Sequence, residues 1–138
     1  MNNKVVYFPS CINQTMGLAK DSPVDQPLVK QMLSLLQKAG YEVIFPPKME
    51  KLCCGTIWES KGMLDIADSK STELEASLWE ASEQGRYPVL CDQSPCLHRM
   101  RATIQKIKLY EPAEFIYTFL RDKLELTPTD RPIAIHIT

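Results

Sequence analysis

Five cysteines stand at positions 11, 53, 54, 91 and 96 of a 138-residue chain. An odd number, with two of them adjacent, argues against a disulfide framework and for thiols used as ligands or redox groups. Thiolates are what soft iron and zinc centres select, and four of them form the commonest set around an iron–sulfur cluster. The spacing matches neither a zinc ribbon, which shows two C-x-x-C knuckles, nor the tight run of a ferredoxin. Three chemistries are therefore open: an iron–sulfur centre, zinc in a structural or interaction module, and thiol–disulfide exchange at Cys53 and Cys54.

The residues around the cysteines favour ligation. Gly55 lets the backbone approach a bulky cofactor without a Cβ in the way. Thr56 and Glu59 lie at capping-box spacing, so a helix is expected right after the pair, aiming free N–H groups at an anionic centre. Ser94 reads as the N-cap of another helix with Pro95 at its first position, which puts Cys96 in the same kind of field. Both helix starts favour thiolate over thiol. Cys11, Cys53, Cys54 and Cys96 are the expected ligands, and Gly55 and Ser94 the expected cofactor contacts. Cys91 is a fifth candidate, although within Val89-Leu90-Cys91 it reads first as a small core hydrophobe.

These residues need elements to carry them. Lys4 to Pro9 is a continuous apolar, β-branched and aromatic run of the kind a doubly buried strand requires. A helix is expected from a capping Asp25, with Pro27 in its first turn, to Gly40; Leu28, Met32, Leu33, Leu36 and Ala39 form its apolar face. Tyr41 to Phe45 is a second strand, stopped by Pro46-Pro47. One helix is expected to follow Cys54, and a second to begin near Ser71 or Thr72 and end at Gly85. Pro88 to Asp92 and Lys108 to Tyr110 are the third and fourth strands, and Pro112 opens an amphipathic helix with Phe115, Ile116, Phe119, Leu120 and Leu124 inward. Pro132 to Thr138 is a fifth β-like run. The expectation is an α/β protein, a Rossmann-like three-layer sandwich with a mostly parallel sheet of about five strands. Ligands of such sheets bind beyond the carboxyl ends of the strands, where all five cysteines fall.

Composition narrows the function. Lys and Arg number 16 against 17 Asp and Glu, and hydrophobic residues make up 44%. That is a soluble globular profile with no basic excess for nucleic acid. No apolar run approaches the roughly 18 residues of a membrane span, and Met1 to Lys4 does not open a secretory signal, so a cytoplasmic protein without direct membrane insertion is expected. No glycine-rich phosphate loop is present, so neither flavin nor nicotinamide is expected to bind this chain. Of the two histidines, His98 reads as a solvated helix residue and His136 as a core or edge position of the last strand. Trp58 and Met63 could cover the site or dock a partner, and Trp79 reads as helix packing.

Cys11, Cys53-Cys54-Gly55 and Asp92-Gln93-Ser94-Pro95-Cys96 together resemble the cysteine-rich CCG domain family. Members include the heterodisulfide reductase B subunit and the iron–sulfur subunits of glycolate and lactate oxidation. With Pro9-Ser10-Cys11-Ile12-Asn13-Gln14-Thr15-Met16-Gly17, the set looks most like the C-terminal part of FAD-linked, iron–sulfur D-lactate dehydrogenases. The resemblance implies an iron–sulfur cluster, of 4Fe-4S type, on Cys11, Cys53, Cys54 and Cys96, with Cys91 as a possible further ligand. It also implies a flavin domain elsewhere in the parent protein, D-lactate or a related 2-hydroxy acid as substrate, and electron transfer rather than catalysis in this part. Gln93 departs from the pattern of heterodisulfide reductase, where a further cysteine stands three residues before the equivalent of Cys96. The family carries two such units in tandem. Residues 1–131 would then be the first unit and 132–138 the start of a second, since Ile133 to Thr138 repeats the character of Val5 to Ser10.

Overall fold

The computed structural model describes residues 3–137. Met1 and Asn2, in the expected signal-free N-terminus, and Thr138, the last residue of the expected fifth strand, lie outside the described residues.

Four strands form one all-parallel sheet: β1 (Asn3–Phe8), β2 (Tyr41–Ile44), β3 (Val89–Cys91) and β4 (Leu109–Tyr110), in the order β2-β1-β3-β4. β1 is central, and Val5, Val6, Tyr7 and Phe8 are almost wholly buried, as its unbroken apolar run requires. Val6 and Phe8 share one core with Val89 and Cys91, covered by α4 (Leu64–Ala81) through Leu74 and Leu78 and by α5 (Ser94–Thr103) through Leu97 and Met100. Val5, Tyr7 and Leu90 point the other way. There they meet Met32 and Leu36 of α2 (Leu28–Lys38), together with Phe115 and Leu120. Helices thus cover both faces, and each fully buried large side chain contributes about 1.5–3 kcal/mol. Among the described residues, no helix is long and apolar enough to cross a membrane.

The strand order positions the site. From β1 the chain steps through α2 to β2 on one side, then returns through α4 to β3 on the other side of β1. Connections therefore diverge at the carboxyl ends of β1 and β3, the place where parallel sheets hold ligands. Phe8 is in register with Cys91 at that point, and Cys11 opens α1 (Cys11–Thr15) just beyond it.

Several local expectations change. The sheet has four strands, not five: 132–137 forms no strand, and Ile133, Ile135 and Ile137 are 76–87% exposed. His136 is exposed in that segment rather than at a core or edge position. Asp25 does not cap α2; Pro27 holds the cap position, and the fixed φ of proline suits that entry. The break expected at Ser71 and Thr72 is absent, because neither hydroxyl caps a helix start. Thr72 Oγ1 donates back to the Asp68 carbonyl (3.0 Å), and Ser71 Oγ donates across to the Cys54 carbonyl (3.2 Å). Gln93, not Ser94, caps α5, so Ser94 and Pro95 fall in its first turn. The helix opened by Pro112 is α-helical only over α6 (Pro112–Phe115) and continues as a π turn over Ile116–Leu120, with Phe115 and Leu120 inward as expected.

Candidate functional site

Four separated segments bring the five cysteines to one edge of the sheet. Cys11 is exposed at the start of α1, where the Ser10 hydroxyl accepts the Asn13 N–H (3.2 Å). Cys53 is half-buried and Cys54 buried in the loop that leads from β2 into α3 (Thr56–Glu59). Cys91 closes β3 with no exposure, and Cys96 is half-buried in the first turn of α5. They are close enough to act on one another's charge. Cys53 responds to Cys54 and Cys11, and Cys96 responds to Cys54, Cys91 and Cys11.

The helix-start argument does not account for the thiol chemistry. α3 is one turn of four residues, too short to project a useful dipole. The Cys54 thiol is instead brought down to about 5 by the hydrogen bond from the Cys96 thiol, against burial and with help from Thr56. The Thr56 hydroxyl lies 3.2 Å from Cys54 Sγ. Cys96, as the donor of that pair, is pushed up, and burial adds to the shift. Burial also raises Cys53, although the Gly55 N–H donates to its sulfur (3.3 Å). Desolvation carries Cys91 up to about 12, in keeping with a packing role. Without a metal, one thiolate is favoured, at Cys54.

Among the described residues, no three Cys, His, Asp or Glu side chains are grouped tightly enough for one metal ion. A tetrahedral zinc site gathers four ligands about 2.0–2.3 Å from a single point. A cluster spreads its four thiolates, because each binds a different iron.

Two clamps hold the loops. Asp92, directly after β3, accepts the Tyr7 hydroxyl (2.6 Å) and the Ser10 N–H (2.9 Å), tying the approach to Cys11 onto the end of β3. Tyr7 is fully buried; burial, then this carboxylate, holds its phenol far above the usual range. Removing the acceptor in Asp92→Ala orphans two donors, and each orphaned donor costs about 1–3 kcal/mol. A loss of about 2–4 kcal/mol in urea denaturation is expected, with Asp92→Asn losing less because it keeps one oxygen. The second clamp is Arg99, buried on α5. Its Nε donates to the Cys54 carbonyl (3.0 Å), and its other nitrogens pair with Asp68 (3.1 Å) and Glu59 (2.6 Å).

Gly55 is needed for a reason other than the expected one. Its φ is +91°, and a Cβ there would stand 2.6 Å from the Ala67 carbonyl oxygen and 2.8 Å from Arg99 Nε. The vacated space belongs to α4 and to the arginine. Ser94 is exposed and lines a cleft of about 580 Å³ with Thr56, Glu59, His98 and Arg101. Met63 is exposed beside α3, and Trp79 packs on the core as expected.

Sequence reasoning missed Arg99 and the double role of Asp92. Arg99 and Cys54 are 45 positions apart, and Asp92 and Tyr7 are 85 apart, so no local pattern joins them. The one available signal was a charge next to Leu97 and Met100 on a helix face that must be buried. Comparison with family models, with curated proteins and with solved structures found no match.

Proposed function

We propose that this chain is an iron–sulfur electron-transfer domain, with Cys11, Cys53, Cys54 and Cys96 as thiolate ligands and Cys91 packing beneath them. The observation that carries the reading is the convergence of thiols from four segments on the carboxyl edge of a parallel sheet, beside the ends of β1 and β3. Core cysteines have no reason to collect at such an edge, and ligands do. A bound cluster would supply a one-electron carrier. The residues around it would hold the loops: Asp92 the one before Cys11, Arg99 and Ser71 the one at Cys54.

The motif resemblance extends the proposal. The doubly covered sheet is read as Rossmann-like and the protein as cytoplasmic. The parent is read as a FAD-linked dehydrogenase of D-lactate or a related 2-hydroxy acid.

Anaerobic incubation with iron and sulfide, followed by metal and sulfide analysis, tests the core of the proposal. The expected result is a brown protein with stoichiometric iron and sulfide and an electron paramagnetic signal on reduction. A colourless protein that refuses iron and takes up zinc stoichiometrically would overturn it.

A further inference from the structure

We infer that Arg99 is the positioning residue of the Cys53-Cys54-Gly55 loop: its guanidinium, seated in the space left by the missing Cβ of Gly55, fixes the backbone at Cys54 and with it the directions of both thiols. The inference rests on the reading of these cysteines as ligands, but its first arm needs no metal.

A guanidinium is costly to bury unless its donors and charge are answered. Arg99 is 7% exposed, and its rigid fork meets three acceptors from three segments: the Cys54 carbonyl in the loop, Asp68 on α4 and Glu59 on α3. Asp68 and Glu59 are 74% and 48% exposed, so the charge is balanced from the solvent side while Nε is spent inward on the loop. The Cys54 carbonyl also accepts the Ser71 hydroxyl, so one backbone oxygen is held by two donors from two helices. A lysine in this place could reach one of the three acceptors at a time. The core does not call for a charge here, since Leu97 and Met100 already fill that face of α5.

The arginine and the glycine are matched. With φ at +91° and a Cβ position 2.6 Å from the Ala67 carbonyl oxygen and 2.8 Å from Nε, position 55 admits no side chain unless α4 and Arg99 give way. The C-C-G triplet owes its glycine to the left-handed φ, to the Ala67 carbonyl and to this contact together.

The test uses the full chain, reduced and metal-free, as wild type, Arg99→Met and Arg99→Lys. Amide exchange at 52–56 and iodoacetamide alkylation of each cysteine are read by mass spectrometry, with urea denaturation to establish folding. Arg99→Met is expected to raise exchange across the loop and alkylation of Cys54 roughly ten- to a hundredfold while Cys11 keeps its rate, and Arg99→Lys is expected to fall between. A folded Arg99→Met with wild-type exchange and alkylation overturns the inference. If Arg99→Met does not fold, Glu59→Gln combined with Asp68→Asn, both on exposed partners, must raise the same two readouts by a smaller factor; no change there overturns it equally. After incubation with iron and sulfide, Arg99→Lys is expected to keep iron but shift the visible and paramagnetic spectra, and spectra identical to wild type count against positioning. Wild-type protein that takes up no iron refutes the ligand reading alone, because the metal-free arms still decide the role of Arg99.

Discussion

Gly55→Ala is expected to lower the stability of this domain by about 3–5 kcal/mol. The left-handed φ alone costs an alanine about 1–2 kcal/mol. The new Cβ would then overlap the Ala67 carbonyl and Arg99 Nε, so either the arginine or α4 must move. Losing the charged hydrogen bond from Arg99 to the Cys54 carbonyl adds about 1.5–3 kcal/mol. Gly40→Ala is the control. Gly40 has a similar φ of +81° but nothing within 4 Å of its Cβ position, so only the backbone term applies. Urea denaturation of both variants separates the two costs, and equal losses would show that the crowding at Gly55 has no energetic weight.

Cys54→Ser is expected to abolish the uptake of iron and sulfide. Removal of an outer-shell partner already costs a metal site roughly ten- to a hundredfold in affinity, and loss of a ligand costs at least as much. Cys54 is also the sulfur on which Cys96 and Thr56 converge, so a hydroxyl there disturbs the whole pair. Cys91→Ala provides the contrast. Its side chain is fully buried in the core beside Phe8 and Leu97, so about 1 kcal/mol of stability should be lost and iron retained. Iron and sulfide analysis after anaerobic incubation reads both variants. Iron retained by Cys54→Ser, or lost from Cys91→Ala, would reverse the roles given to these two cysteines.

The contrast between these residues marks how far the linear sequence could be read. β1, α2 and β2 are legible because β1 and β2 are short apolar runs stopped by proline and α2 has a helical apolar period closed by glycine. The gathering of the cysteines at one edge follows from the alternation of strands and helices, and Cys91 as a core residue follows from its apolar neighbours. α4 was misread because Thr72 and Ser71 carry hydroxyls that cap helices elsewhere, and here bond within the helix and across to Cys54. The fifth strand was misread because Ile133, Ile135 and Ile137 alternate as strands do, yet among the described residues no neighbouring strand takes them up. Arg99 was invisible because its partners lie on three elements whose mutual placement exists only after folding.

The strand order also sets a sequence of events. β2, which pairs with β1 from Asn3 beside Tyr41, is synthesised before β3. The other edge of β1, Val6 beside Val89, has to wait for β3. Synthesis from the N-terminus therefore brings out Cys11, Cys53 and Cys54 before Cys91 and Cys96 exist. During that interval Cys54 lacks the thiol that will face it, and its loop lacks Arg99. The adjacent thiols of a nascent chain are then open to oxidants, and Cys54 meets the Cys96 thiol only when α5 docks. The completed edge thus requires residues from both ends of the synthetic order, and forms only once α5 has been made.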